Sequence, residues 1–212
     1  MDSPSYEILI YDFDDDLIIN ALNFGKSGFR VFRWKNVSVV LGCGSKPENE
    51  INIENCIADK IPILRRSGGG CAVVLDTGNI IVSAVAAVEG IGGIKKYTRI
   101  FSEWLIGGLG RCGIDGAHAE GISDIAIGNR KVTGSSMQRK KGYFLYSASI
   151  LVKPDLDLME SYLKHPPREP TYRMRRPHRD FIGSLYDLAE IRDIPDFKER
   201  LDRELRASFP TD

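Results

Sequence analysis

The chain has 212 residues, 42% of them hydrophobic and 27% charged, and its 29 Lys plus Arg balance its 29 Asp plus Glu, giving a formal net charge of zero. That length suits one domain of generous size, and the composition is that of a globular chain rather than a disordered one. A zero balance removes bulk positive charge as a means of holding nucleic acid.

The start, Met1 to Ser5, has no basic or apolar leader segment. The longest apolar run, Ile80 to Val88, is interrupted by Ser83. It falls far short of the roughly 20 residues that a membrane span needs. Neither a membrane nor a nucleic acid is therefore expected as a partner. Cys43, Cys56, Cys71 and Cys112 follow no CxxC or Cys/His spacing. That argues against zinc and for reduced thiols in a cytoplasmic protein.

In chain order, Asp14 to Phe24 predicts a helix with its acids at the favourable end. Phe29 to Trp34 and Val37 to Leu41 predict a hairpin around Lys35 and Asn36. Glu48 to Lys60 predicts a helix that stops before Ile61-Pro62. Ile63 to Arg65, Cys71 to Leu75 and Ile80 to Ala87 read as strands, the last two separated by the turn Asp76 to Asn79. Ile94 to Cys112 carries a helical stripe of Ile94, Tyr97, Phe101, Trp104, Leu105 and Leu109, stopped by Gly113. Ser123 to Ile127, Lys131 to Gln138 and Tyr143 to Val152 read as strands joined by tight turns. Asp155 to Lys164 predicts a short helix, and residues 195–209 a charged amphipathic one. No repeat, linker or boundary divides the chain, so residues 1–212 are expected to form a single domain. The fold class is α/β (α+β), with a mixed, largely antiparallel sheet and flanking helices.

Gly accounts for 21 residues, above the typical share of about 7%, and the glycines cluster. In Arg65-Arg66-Ser67-Gly68-Gly69-Gly70, three glycines after a strand let backbone approach a bound group closely. Their N–H groups can face an anion, and Arg66 can grip phosphate or carboxylate. A plain mobile turn uses glycines too. No Gly-Lys-Ser/Thr follows, so this is not a P-loop. An apolar strand rather than a helix follows, so it is not a dinucleotide fingerprint. A second cluster, Lys131, Gly134, Ser135 and Ser136, can set an ammonium and hydroxyl donors over a phosphate or carboxylate. A solvated hairpin would look similar. Only His118, His165 and His178 are available to partner a Cys or Ser nucleophile, and none follows a cysteine closely. The stretch Tyr172 to Arg179 holds Arg173, Arg175, Arg176, His178 and Arg179. It reads as a solvated basic loop or as a patch for an acidic partner.

Together these motifs resemble the lipoate–protein ligase A family, in the superfamily shared with biotin–protein ligases and octanoyl transferases. The resemblance runs from about Phe29 to Leu188. Phe32-Arg33-Trp34 with Val39 to Gly42 is similar to the family's first hairpin. Arg65 to Asp76 with Gly78 and Asn79 is similar to its glycine-rich signature. Ser123-Asp124 followed by Arg130 to Ser135 is similar to its lysine loop.

The resemblance implies a core like that of class II synthetases and biotin ligases. It also implies a chemistry in which lipoate and ATP give lipoyl-AMP and pyrophosphate. The acyl group then passes to a lysine of a lipoyl carrier domain, of the dehydrogenase E2 or glycine-cleavage H protein type. Lys131 would be the catalytic residue. Arg66, Ser67, Gly69, Gly70, Cys71, Ala72, Val73, Val74, Asp124, Gly134 and Ser135 would line the substrate and ATP site, with Asp124 orienting Mg²⁺ or the ribose. Strands Cys71 to Leu75 and Ser135 to Met137 would wall the acyl chain, whose burial contributes about 0.8 kcal/mol per CH₂. Three positions depart from the family pattern: Cys71 replaces a motif glycine, and Leu75 and Ser147 stand where histidines are common. An ATP-independent octanoyl or lipoyl transferase and a non-catalytic acyl-adenylate-binding homologue are the alternatives. The transferases' cysteine positions are not matched here. On this reading Glu190 to Asp212 is a one-helix remainder, too short for the accessory domain many such ligases carry. A separate accessory subunit would fill that role, and the Arg173 to Arg179 patch would meet the acidic carrier.

Overall fold

The computed structural model describes residues 6–210. Its strands form two sheets. The larger holds, in spatial order, β2 (Gly28–Arg33), β6 (Asn79–Val88), β10 (Gly142–Leu151), β9 (Arg130–Lys140), β8 (Asp124–Ile127) and β7 (Ala117–Glu120), each pair antiparallel. The smaller holds β1 (Ile8–Ile10), β4 (Ile63–Arg65), β3 (Ser38–Leu41) and β5 (Val73–Leu75). There β4 runs parallel to both its neighbours and β5 antiparallel to β3. The sheet content is thus mixed and mostly antiparallel, as expected.

Alternation along the strands sorts side chains into layers. One face of the large sheet, with Val82, Ala84, Phe144, Tyr146 and Ala148, packs against α4 (Ile94–Arg111) and α8 (Ile194–Ala207). The opposite face carries Ile81, which joins Trp34, Val40, Leu64 and Leu75 between the two sheets. The helix α1 (Asp15–Phe24) covers Val85 and Leu145 on that same face. The outer face of the small sheet, with Val39, Leu41, Ile63 and Val74, is closed by Cys56 of α3 (Ile53–Ala58), Met159 and Tyr162 of α5 (Leu156–Tyr162), and Phe181 of α6 (His178–Phe181). Among the described residues no helix is long and apolar enough to cross a membrane.

Three expectations fail for physical reasons. The strands β2 and β3 do not pair as a hairpin. All four residues of β3 are buried, so it needs neighbours on both edges and cover on both faces, which the small sheet supplies. The 48–60 helix is two short ones, α2 (Pro47–Glu50) and α3, because Ile51 leaves the helical path to bridge Leu163 and is fully buried. The C-terminal helix is not a remainder. Phe197, Leu201 and Leu205 are fully buried, each burial stabilising by about 1.5–3 kcal/mol. The Trp104 indole N–H donates to Leu205 O at 3.0 Å, and Gly108 lets the two helices approach at Leu205.

The turn Asp76 to Asn79 carries the chain from the small sheet to the large one. The Asp76 carboxylate accepts from Gly78 N (2.5 Å) and Asp155 N (2.9 Å), and Asn79 Oδ1 accepts from Asp76 N (2.8 Å). This turn fixes the angle at which the glycine loop before β5 meets the large sheet.

Candidate active site

The loop Ser67 to Cys71 bridges the two sheets and has a one-sided hydrogen-bond pattern. Every carbonyl in it is tied back into the protein. Ser67 O accepts from Gln138 Nε2 (2.8 Å) and Gly68 O from Cys43 N (2.9 Å). Gly69 O accepts from Arg66 Nε (3.2 Å) and Nη2 (2.8 Å), and Cys71 O from Arg66 Nη2 (2.9 Å). Gly70 O shares the Ser45 hydroxyl (3.2 Å) with the buried Glu50 carboxylate (2.9 Å). On the donor side only Gly69 N is used, to Met137 O at 3.2 Å. The N–H groups of Ser67, Gly68, Gly70 and Cys71 have no partner among the described residues. A loop with carbonyls held back and amides free is a concavity suited to an anion.

Arg66, expected to touch the ligand, is instead the brace of this loop. It also donates through Nη1 to Val40 O (3.0 Å). Four of the five N–H groups of the guanidinium are therefore spent on backbone carbonyls. Burial lowers its pKa to about 10, so it remains a cation at neutral pH. Arg65 likewise holds the facing turn, donating to Gly42 O (2.9 Å) and Ser45 O (3.0 Å). Glu50 completes the frame by accepting from Ala72 N at 2.6 Å.

The lysine hairpin lies alongside. Between Ile125 and Ala126 on β8, the strand β9 has one extra residue, Val132. Such a bulge re-aims its neighbours. Lys131 folds over Gly134, its Cε and Nζ both 2.9 Å from where a Cβ would stand, so any side chain at 134 would displace it. Its Nζ meets Asp124 Oδ1 at 2.8 Å, and Asp124 Oδ2 accepts from the Tyr172 hydroxyl at 3.0 Å. Burial and the adjacent Asp124 push the Tyr172 hydroxyl up, so it stays a donor. Two residues along β9, about 7 Å at strand rise, Ser136 abuts the glycine loop. A Cβ on Gly68 would stand 2.8 Å from Ser136 Oγ.

Both Ser135 and Ser136 were expected as hydroxyl donors of this cluster, but only Ser135 was assigned to line the site. Pairing puts Ser135 opposite Ala148, on the helix-covered face. There its hydroxyl donates to Ser123 O at 2.7 Å. The loop-facing side belongs to Gly134 and Ser136, and period-two alternation was the signal that separates them. The anticipated acyl walls are also spent elsewhere. Val74 lies in the outer core of the small sheet, Leu75 packs with Trp34 between the sheets, and Met137 rests on the α4 side. Ser147 lies 3.2 Å from Ser83, hydroxyl to hydroxyl, in the same row as Ser136. Asp124, expected to orient Mg²⁺ or the ribose, is the carboxylate beside Lys131. Both Asp124 oxygens are engaged, and among the described residues no group of three His, Cys, Asp or Glu is placed to hold a metal ion. Of the thiols, Cys56 and Cys112 are buried, while Cys43 is exposed and Cys71 half-buried.

The basic stretch is solvated only in part, with Arg175 and Arg179 exposed and Arg176 half-buried. Arg173 is 4% exposed and His178 is 8% exposed. Arg176 donates to the carbonyls of Tyr172 (2.9 Å), Arg173 (3.0 Å) and Asn129 (2.9 Å), tying the stretch to the turn of the lysine hairpin. Arg179 pairs with Asp157. The Cys71 thiol donates to Arg168 O at 3.5 Å, so the segment 168–176 straps the glycine loop to the lysine hairpin.

The family description "lipoyl protein ligase A/B catalytic domain" matches residues 13–206. Over 187 residues the chain is 25% identical to lipoate-protein ligase A subunit 1 of Thermoplasma acidophilum, covering 84% of this chain and 71% of that protein. Over 207 residues it is 30% identical to octanoyltransferase LipM of Carboxydothermus hydrogenoformans, covering 85% and 76% respectively. A solved lipoate-protein ligase A bound with ATP superposes with a TM-score of 0.75 at 25% identity, over 91% of this chain and 77% of that one.

Proposed function

Because the chain belongs to the lipoyl protein ligase A/B catalytic-domain family, we propose that it activates lipoate with ATP and passes the lipoyl group to a lysine of a lipoyl carrier domain. The observation that carries this reading is the glycine loop, with its carbonyls tied back and the amides of Ser67, Gly68, Gly70 and Cys71 free beside Lys131. The likeness to an ATP-bound ligase supports a nucleotide there.

In the first step a lipoate carboxylate oxygen attacks the α-phosphorus of ATP, and pyrophosphate leaves. The free amides and the Lys131 ammonium meet the charge that grows on the pentacoordinate phosphorus. In the second step the acceptor ε-amine attacks the acyl carbon and AMP leaves, with Lys131 stabilising the tetrahedral oxyanion. Asp124 holds Lys131 in place before the ligand arrives, and Tyr172 holds Asp124. Ala72 and Val73 carry the loop into β5, with Ala72 N held by Glu50. The relative from Thermoplasma is named as one subunit of a ligase, which supports a separate accessory polypeptide as a further partner.

Likeness to an octanoyltransferase favours a second reading, acyl transfer without ATP. One assay separates the two. With lipoate and Mg-ATP, the ligase reading expects pyrophosphate release, and Lys131→Ala is expected to lower kcat at least about 100-fold. Full activity in that variant contradicts the site. Transfer from an acylated carrier protein without ATP supports the second reading instead.

A further inference from the structure

Arg173 is almost fully buried, yet its Nη2 has no hydrogen-bond partner among the described residues. Nε and the guanidinium face are held. Nε donates to Arg176 O at 3.0 Å and lies 3.5 Å from Glu169 Oε2, and the guanidinium stacks 4.8 Å over the Phe181 ring. Glu169 does not turn to the open nitrogen, because its oxygens also accept from His165 Nε2 (2.9 Å) and Arg175 N (3.0 Å). A buried guanidinium N–H without a protein acceptor is costly, which makes it a donor suited to an acceptor brought by a partner.

The place of Arg173 in the strap says what that partner is. Arg168, five residues before it, accepts from Cys71 of the glycine loop; Tyr172 donates to Asp124; and Arg176 reaches Asn129 of the lysine hairpin. Arg173 sits between these anchors in sequence, and the strap's contact in the glycine loop, Cys71, has its own N–H free among the described residues. We propose that Arg173 is an anion-binding residue of this site, its open N–H donating to an oxyanion of the ligand held between the glycine loop and Lys131. This rests on the ligase reading above. The oxyanion is a phosphate oxygen of the nucleotide or the carboxylate of the acyl substrate, and guanidinium suits both.

Calorimetric titration of the wild type and Arg173→Gln with AMP, adenosine and octanoate tests it. The expected result is a loss of AMP affinity of about tenfold or more in the variant, with adenosine binding unchanged. A loss confined to octanoate assigns the same N–H to the carboxylate and also supports the proposal. A folded variant that binds both anions like the wild type overturns it, as does a wild type that binds neither. Should Arg173→Gln not melt cooperatively, the Arg173 guanidinium NMR signals of the wild type decide, assigned with Arg173→Lys. A shift on adding AMP or octanoate supports the proposal, and no shift with either overturns it. Anion binding that depends on Arg173 without pyrophosphate release would sink the ligase reading alone. Pyrophosphate release with unchanged anion affinity in the variant would sink the role of Arg173 alone.

Discussion

Arginines that look interchangeable in sequence have separate tasks. Arg65 and Arg66 hold carbonyls of the two facing loops, whereas Arg173 keeps an unused donor in a buried position. His178 is a second buried basic residue in the region of Arg173. Burial first, then the positive charge of Arg173, lowers its pKa to about 4, while Glu160, 4.0 Å away, pulls the other way. In the unfolded chain the group titrates near 6.5. Between those values the unfolded chain binds a proton that the folded chain refuses. Its contribution to stability is therefore full above about pH 6.5 and falls as pH drops toward 4, by on the order of 3 kcal/mol. Urea unfolding of wild type and His178→Asn across that range should show a flatter pH dependence in the variant, and equal slopes would contradict this. The sequence made Lys131 and Asp124 legible because their motif is local. It did not reveal the brace at Arg66 or the burial of Arg173, because residue type and spacing do not show which backbone carbonyls a guanidinium meets, and of these partners only Val40 lies far along the chain.

At the scale of elements, the glycine loop and β9 form one surface. The long helix α4 and the three strands β8, β9 and β10 were readable from periodicity and tight turns. The assignment of β2 and β3 to different sheets was not, because pattern shows burial but not partners. The loop's glycines differ in what they allow. Gly68→Ala would press a methyl against Ser136 and is expected to cost about 1–3 kcal/mol in a denaturant titration. Gly69 has nothing within 4 Å of its Cβ position. Gly69→Ala should therefore leave stability within about 0.5 kcal/mol. Equal losses at both positions would show that the loop does not lean on β9 as described.

For the whole molecule, α8 joins the chain's end to its core. Leu201→Ala is expected to lower stability by about 2–5 kcal/mol, and a loss well under 1 kcal/mol would mean the helix is an appendage after all. The two-sheet arrangement, closed by α4 and α8 on one side and by α3, α5 and α6 on the other, sets the glycine loop against the lysine hairpin. On the function proposed above, this juncture makes an acyl-adenylate and hands its acyl group to a carrier lysine. Intact-mass measurement of a lipoyl domain incubated with this chain, lipoate and Mg-ATP, with and without a cognate accessory subunit, tests it most directly. One added lipoyl group is expected, requiring ATP and disappearing with Lys131→Ala. A domain left unmodified in every ATP-containing mixture, or modified equally by Lys131→Ala, would contradict it.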